Sequence, residues 1–553
     1  MRKIVMGEYA LPQRATAWLV FVALALWLSL WWFLAHGPLA LGAHRWDDAR
    51  YATRAVQGAF DAGIRNRYVH VWGLRAFFTL IDDRLTATIS YASIMGLGLI
   101  TVAFALGRQV GGLRCGLLAA LLIPFYPPVF RYFTAPMSDP PSTLYAALAL
   151  LAALSGKTPR HQTWMAMASG LLCLASIKSK ESGVAVVPAV WWALLHNRHG
   201  VRSLLYWGAG AVAGQIGLCV IDLGITGDAW ISLRREHHQN YAKLLTTDPK
   251  RYRDMRNLMR HEWLELLAAC DMRNFSLCAL LGLAVGIRRQ RTLFSLALWA
   301  LASLLFSSWV SFRYSGIDAR MRYMIMFAIP ACVSAAYLLT DLFSREPQSL
   351  HSSPDATDRL ARGLHAGGVL IALWFAYRGL QAGMLHVLDR PMDFAHQRAE
   401  FFLLPLVVPA FLFIAWTTRK ALLRRASILV IVLTIGVSAL PGARDYVAGH
   451  QRLMHGWQQL AQYVDAHHLS KFAHYRTRGD TLDSSLLGWR MSSLSHANGM
   501  RQRIVAQPRD LAPDEILIVP RRDRPMAFAA GLKLITEVYQ SNNRFAVFDR
   551  ADR

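Results

Sequence analysis

Two carboxylates stand side by side at Asp47 and Asp48, in the stretch Trp46-Asp47-Asp48-Ala49-Arg50-Tyr51-Ala52. From Asp47 to Gly63, Tyr51, Ala55 and Ala59 recur at helical spacing, which predicts an amphipathic helix lying on a membrane surface. The acidic pair would sit at its N-terminal end, where the helix dipole favours an ionised carboxylate. A carboxylate so placed suits the removal of a proton from an attacking hydroxyl. Cationic side chains that suit an anionic phosphate follow along the chain: Arg67 and His70, Arg131, Lys178, Lys180, His237 beside His238, Arg320, and Arg322 with Tyr323. Arginine is apt because its fork can bind two oxygens at once. Asp139 precedes Pro140-Pro141 and suits either a substrate contact or a helix cap. The other candidates have plain readings too. Asp47 and Asp48 could cap a helix or meet Arg45 and Arg50. Lys178, Lys180, Arg131 and Arg322-Tyr323 could anchor helix ends among lipid headgroups. An adjacent histidine pair on an exposed helix more often binds nothing.

The elements that must position these residues are membrane spans. Apolar residues make up 54% of the 553-residue chain, and they gather into repeated runs approaching the roughly 20 residues that a spanning helix needs. About thirteen candidate spans centre on 17–36, 87–106, 115–130, 141–155, 163–177, 183–196, 203–221, 274–287, 292–311, 322–340, 364–385, 401–418 and 426–441. Those at 141–155, 183–196 and 274–287 are short enough to tilt or to pair as re-entrant elements. The first run follows Arg2, Lys3 and Arg14 but exceeds a typical signal-peptide core, so it reads as an uncleaved first helix.

Net charge of +25 invites a nucleic-acid reading, but the cations are dispersed through loops and the tail, with no single basic block. No nucleic-acid partner is expected; membrane lipids are. Arg108/Arg114, Lys157/Arg160, Arg288/Arg289/Arg291 and Arg419/Lys420/Arg424/Arg425 mark short cytoplasmic loops, which puts the N-terminus inside and the tail outside. Outer loops 37–86 and 222–273 are too long for simple connections, and loops of that length are usually functional. Residues 1–441 form a transmembrane domain on this reading. Residues 442–553 form a small outer α/β domain, with strand-like runs at 516–519 and 545–548 and helix-like stretches at 453–466 and 526–535. The six cysteines lie mostly inside apolar runs and read as small fillers. His261-Glu262 begins like a zinc-protease motif, but Glu265 stands where the second histidine is required. No P-loop, GxSxG or glycine-rich nucleotide motif is found in a convincing context, which argues against a nucleotide-sugar donor.

An acidic pair followed by Ala-Arg-Tyr-Ala just after the first span resembles the first outer loop of the GT-C multi-spanning glycosyltransferases. The resemblance is to the protein O-mannosyltransferases and the aminoarabinose transferases of that clan. Arg131–Pro141 (RYFTAPMSDPP), Ser176–Gly183 (SIKSKESG) and Arg322-Tyr323 resemble further family segments in the same order. The resemblance implies a polytopic helical fold with a small outer α/β domain, in a bacterial inner membrane. It implies a polyprenyl-phosphate-linked sugar as donor and a lipid, glycan or protein as acceptor. It makes Asp47 the catalytic carboxylate, with Asp48 beside it; Lys180, Lys178, Arg322, Tyr323, Arg131, Asp139, His237, Arg67 and His70 are the candidate substrate contacts. No cofactor is implied, although an acidic pair could hold a divalent ion. The chain departs from the family where many members carry a second acidic residue and a Lys-Pro-Pro turn; here it reads Asn-Arg-Tyr-Val-His. A lipid-linked glycan ligase or polymerase would also need outer cations, though not the acidic pair. A transporter would place charges near mid-membrane, where these spans carry almost none. A homologue that has lost catalysis is the remaining alternative.

Overall fold

The structure, a computed structural model, describes Ala52, Ala55 and residues 67–132, 137–155, 158–197, 199–230, 270–287, 289–313, 321–344, 404–418, 420–467, 469, 471–475, 501–505, 511, 515–520, 524–540 and 543–550. The expected segments 17–36 and 364–385 lie outside these residues, as do Asp47, Asp48 and His237. The other expected spans fall on helices. In chain order these are α1 (Tyr68–Leu80), α2 (Arg84–Phe125), α3 (Pro127–Tyr132), α4 (Asp139–Leu154), α5 (Pro159–Ser179), α6 (Val187–Leu195), α7 (Val201–Thr226), α8 (Cys270–Gly286), α9 (Arg291–Arg313), α10 (Ala328–Ser344), α11 (Leu404–Thr417) and α12 (Ala421–Ala466). Short 3-10 turns at Glu181–Val186 and Met321–Phe327 lead into α6 and α10. Three helical stretches, Thr86–Phe125, Val201–Gly224 and Met324–Ser344, are long and apolar enough to cross a bilayer by themselves. A full set of thirteen spans is therefore not what the described residues show.

The longest of the three is two arms. Gly111 and Gly112 depart from helical geometry, and Gly112 takes a φ of +77° that side-chain-bearing residues rarely adopt. The arms then fold back on each other: a β-carbon at Gly107 would lie 2.9 Å from the Cys115 carbonyl, and one at Gly116 would lie 2.8 Å from the Phe104 carbonyl. Two antiparallel spans joined by a Gly-Gly turn match the expectation at 87–106 and 115–130.

Lipid tails are as apolar as leucine, so burying apolar surface does not by itself hold helices together in a bilayer; close backbone approach does. Between α5 and α7 the contact is reciprocal. A β-carbon at Gly170 would meet the Trp207 carbonyl at 1.9 Å, and one at Gly210 would meet the Met167 carbonyl at 1.9 Å. Gly282 in α8 approaches the Ser334 carbonyl of α10 equally closely.

The helices give the bundle two distinct ends. At one end the helix-to-helix turns are basic. Arg291 donates to the His196 carbonyl at 3.3 Å, Arg289 pairs with Asp341 at 3.7 Å, and Gln109 reaches Ser155. At the other end lie the starts of α1 and α4, the turn after α5, and the 3-10 turn before α10, where the Tyr126 hydroxyl donates to the Met324 carbonyl at 3.0 Å.

Helix α12 connects the two ends. Arg425 lies over the Phe343 ring at the basic end, and further along a β-carbon at Gly436 would lie 3.9 Å from the Phe125 ring. Its 46 residues extend about 69 Å, well beyond a hydrocarbon core of about 30 Å. It ends on a mixed sheet of β1 (Lys471–Tyr475), β2 (Arg501–Val505), β3 (Glu515–Pro520), β4 (Leu532–Gln540) and β5 (Asn543–Arg550), in the order β2-β1-β3-β5-β4. Ile516 and Ile518 face α12 with Trp457 and Leu460, while Leu517 and Val519 pack on the opposite side beside Ala527 of α13 (Arg524–Ala529). That alternation is the period of two of a strand covered on both faces. The helix expected at 526–535 stops early, because Gly531 turns the chain at a φ of +76° and Leu532 begins a strand.

Because α5 and α7 touch backbone to backbone, Gly210→Leu should collapse the folded yield of the purified protein or lower its melting midpoint sharply. Gly217→Ala, on the same helix with open space where the new methyl would go, should be neutral or slightly stabilising. Equal behaviour of the two variants in a fluorescence-monitored melt would refute the close packing.

Candidate active site

Helix α4 begins at Asp139 with Pro140 and Pro141 in its first turn, where a missing N–H costs nothing. Its N-cap is Ser138, whose side chain makes no capping bond, so Asp139 is not the cap. Its carboxylate is spent elsewhere, in an ion pair with Lys180 Nζ. Both side chains are more than nine-tenths buried. Lys180 closes α5 in extended conformation, and its N–H donates to the Ser176 carbonyl.

The turn that carries Lys180 is locked from both sides. Ser142 Oγ of α4 donates to the Ser176 carbonyl at 3.0 Å, and Ser176 Oγ donates to the Ser142 carbonyl at 2.7 Å. Gly183 N donates back to the Lys180 carbonyl at 2.9 Å. Only glycine fits at position 183, since a β-carbon there would lie 2.2 Å from Ser176 Oγ.

Beside this pair lies a second one. Arg67, the residue before α1, bonds the Glu181 carboxylate. Burial alone would push the Glu181 carboxyl up. The Arg67 guanidinium, backbone hydrogen bonding and the Lys180 charge together outweigh it and hold the carboxyl below the ordinary glutamate range. Three residues on, His70 is fully buried, with Nδ1 3.0 Å from the Tyr91 hydroxyl of α2. Tyr91 also joins the apolar cluster of Tyr68, Val71 and Leu74, and that cluster includes Ala52 and Ala55. Ala52, four positions after Asp48, therefore packs against α1, as does Ala55 of the predicted amphipathic face.

The two lysines diverge. Lys178, in the last turn of α5, interacts electrostatically with Asp222 at the end of α7. Lys180 faces Asp139. Arg131 lies in α3, and Arg322 and Tyr323 in the 3-10 turn that Tyr126 ties to the end of α2. Asp139, Lys180, Arg67 and His70 are thus brought to one end of the bundle on adjoining elements, while the surroundings of Asp47, Asp48 and His237 lie outside the described residues. Among the described residues no three His, Cys, Asp or Glu side chains converge as metal ligands would. Reading the sequence alone passed over Glu181, Asp222 and the Ser142–Ser176 pair. Glu181 stood inside the SIKSKESG stretch, and its placement next to Lys180 was the available signal.

Residues 68–220, which include His70, Asp139, Lys178 and Lys180, match the family model of the dolichyl-phosphate-mannose-protein mannosyltransferases. No curated protein matches the chain significantly. The fold is similar to the crystal structure of ArnT from Cupriavidus metallidurans bound to undecaprenyl phosphate. The TM-score is 0.56 at 16% identity, over 97% of this chain and 99% of that one. The chain thus shares the fold of that enzyme, and residues 68–220 are similar to the mannosyltransferase family. ArnT in the apo state is similar as well, with a TM-score of 0.50 at 16% identity over 98% of this chain and 99% of that one. Among the described residues three helical stretches are long and apolar enough to cross a membrane, and the Asp139–Lys180 and Ser142–Ser176 contacts fall within the family-matched stretch.

Lys180→Met strands a buried carboxylate and should cost about 3–5 kcal/mol of stability, with Asp139→Leu added in the double variant recovering much of it. Thermal melts in detergent read this cycle; strictly additive losses would mean that the two groups do not interact.

The Glu181 carboxyl titrates lower in the folded protein than unfolded. Its ion pair with Arg67 therefore stabilises the protein fully above the ordinary glutamate range, and that stabilisation is lost as pH falls through the depressed value. The difference in melting midpoint between wild type and Glu181→Gln should close as pH drops below about 4. A difference that stays constant from neutral to acid pH would show that the contact does not act through charge.

Proposed function

We propose that this chain is an integral-membrane glycosyltransferase of the GT-C type that moves a sugar from a polyprenyl-phosphate carrier to an acceptor hydroxyl of a lipid, glycan or protein. The reaction takes place at the outer face of a bacterial inner membrane. The observation that carries the reading is the locked, buried Lys180–Asp139 pair with Arg67–Glu181 beside it, at one end of the bundle, in the family-matched stretch. The similarity to an ArnT that binds undecaprenyl phosphate supports the choice of carrier. The orientation is supported by the opposite end, where the short Arg-rich turns gather as cytoplasmic loops do. Helix α12 then carries the chain outward to a C-terminal domain on the acceptor side.

In this reading the acceptor oxygen attacks the anomeric carbon and the bond from that carbon to the phosphate oxygen breaks, its electron pair leaving with the phosphate. The acceptor proton passes to Asp47, with Asp48 beside it keeping the site acidic. The transition state has oxocarbenium character, as in glycoside hydrolysis. Charge accumulates on the departing phosphate, where positioned cations count most. Lys180, fixed by Asp139 and by the serine-locked turn, supplies one such charge at a set depth, with Arg322-Tyr323 and Arg131 on the neighbouring 3-10 turn and α3. Packing of Ala52 and Ala55 against α1 brings the segment after the acidic pair toward Arg67.

Vesicles containing the protein should transfer label from at least one of a panel of radiolabelled polyprenyl-phosphate sugars. Asp47→Asn should reduce that transfer by about 100-fold or more, the scale of a lost general base. Transfer that survives in Asp47→Asn would remove Asp47 from the base role. A well-folded protein that moves no sugar from any such donor would overturn the reaction class in favour of a glycan ligase or an inactive homologue.

A further inference from the structure

The two ion pairs at the Lys180 end differ in how open they are. The Lys180 and Asp139 side chains are 7% and 6% exposed, whereas those of Arg67 and Glu181 are 18% and 41% exposed. Separating a buried pair leaves a charge with neither water nor partner, but a partly open pair separates readily because water takes the partner's place. Arg67–Glu181 is therefore the pair that an incoming ligand can open, with Lys180 acting on it from behind as a fixed charge. The surroundings of Glu181 fit that role. Burial pushes its carboxyl up while a good part of the side chain stays open, a combination that suits the wall of a recess rather than a convex surface.

The backbones that carry the two residues are held. Glu181 follows Lys180 in the turn that the Gly183 N–H closes, and Arg67 precedes α1, where the Val71 N–H donates to the Arg67 carbonyl at 2.9 Å. Exchange at Arg67 thus needs only side-chain rotation. The proposed transfer supplies the ligand. A polyprenyl-phosphate sugar is a phosphodiester with one negative charge, and its oxygens suit the Arg67 fork. Loss of the sugar leaves a phosphomonoester, which carries about −1.5 to −2 charges at neutral pH. Arg67 alone would hold this spent carrier more tightly than the donor, and release would be slow. A carboxylate in reach of the same guanidinium counters that, because it repels the phosphate and takes its place.

We infer that Glu181 is an exchange partner for the carrier phosphate, an assignment that rests on the proposed donor. Glu181 occupies Arg67 in the empty site, yields it to the incoming phosphate, and reclaims it as the spent carrier leaves. Its removal then strengthens binding, which is the reverse of what a direct sugar or phosphate contact would give.

The full-length protein in detergent is titrated with undecaprenyl phosphate, and with undecaprenol as the same tail without the charge, while tryptophan fluorescence is followed. Wild type should bind the phosphate more tightly than the alcohol. Glu181→Gln should bind the phosphate about fivefold to tenfold more tightly than wild type, the factor expected when Arg67 is open in about 10–20% of wild-type molecules. Its affinity for undecaprenol should be unchanged. Arg67→Gln should weaken phosphate binding at least about tenfold, and adding Glu181→Gln to it should bring no tightening. Glu181→Asp keeps the charge but shortens its reach, so its affinity should fall between wild type and Glu181→Gln; it stands in if the Gln variant does not fold. Unchanged or weaker phosphate binding in the Glu181 variants, or a tightening that persists without Arg67, would overturn the exchange. Equal binding of the two lipids by wild type would overturn the carrier reading, and the exchange with it.

Discussion

Ser142 and Ser176 bind each other's carbonyls across the α4–α5 contact, and the position of Lys180 follows from that exchange. Each hydroxyl satisfies itself inside the protein, where no water is available to do so, which fixes the relative height of the two helices to within a hydrogen bond's tolerance. Gly183 permits the turn to come back over Ser176, because any side chain would occupy the space of the Ser176 hydroxyl. With helix height and turn both fixed, Lys180 leaves α5 directly opposite Asp139 at the start of α4. Arg67 reaches the next residue, Glu181, and brings α1 with it, and α1 carries the cluster on which Ala52 and Ala55 rest. The chain of contacts runs from two serines to the segment that follows the acidic pair.

The two ends of the bundle treat their cations in opposite ways. At the Lys180 end three described cations face carboxylates: Lys180 pairs with Asp139, Arg67 with Glu181, and Lys178 is influenced by Asp222. At the other end Arg108, Arg160 and Arg202 are exposed, and Arg114 and Arg425 share one phenylalanine. Net charge alone does not separate these ends. A pairing of each cation with its own acid holds a charge at a defined place and depth, whereas an excess of unmatched cations attracts whatever anions the adjoining surface offers.

Much of this was legible in the sequence, because hydropathy is a strong and local signal. The short runs at 141–155, 183–196 and 274–287 do form helices, and the 183–196 run begins with a 3-10 turn that accounts for its length. Lys180 and Asp139 also stood out in the sequence, as charges at the ends of apolar runs. Their pairing was not. Asp139 and Lys180 are 41 positions apart, and nothing in either local pattern says that one meets the other rather than a lipid headgroup. The same limit applies to Asp139 as a cap: Asp before Pro-Pro is a strong local signal for capping, and a tertiary contact overrode it. In the C-terminal domain, Leu532 to Ile535 kept enough apolar character to extend the predicted helix at 526–535, and the positive φ at Gly531 marks where the chain turns into a strand instead.

A buried ion pair is an uneconomical way to stabilise a membrane bundle, since well-packed apolar side chains of similar volume often hold a structure as well or better. The surroundings of Lys180 and Asp139 are rich in such alternatives: Leu144 and Val186 are buried nearby in the chain and make no demand for partners. The serine lock and the glycine turn would keep α4 and α5 in register without the pair. What apolar replacements could not provide is a charge held at fixed depth near the end of the helices. Asp139 compensates the lysine while the site is empty and orients its ammonium group. In the proposed reaction an arriving phosphate would meet a cation that needs no reorganisation, which is the condition under which electrostatics lowers a barrier most. The cost of burying the pair is best understood as the cost of that preorganisation, and the hydrogen bonds that stabilise the turn are what allow the fold to carry it.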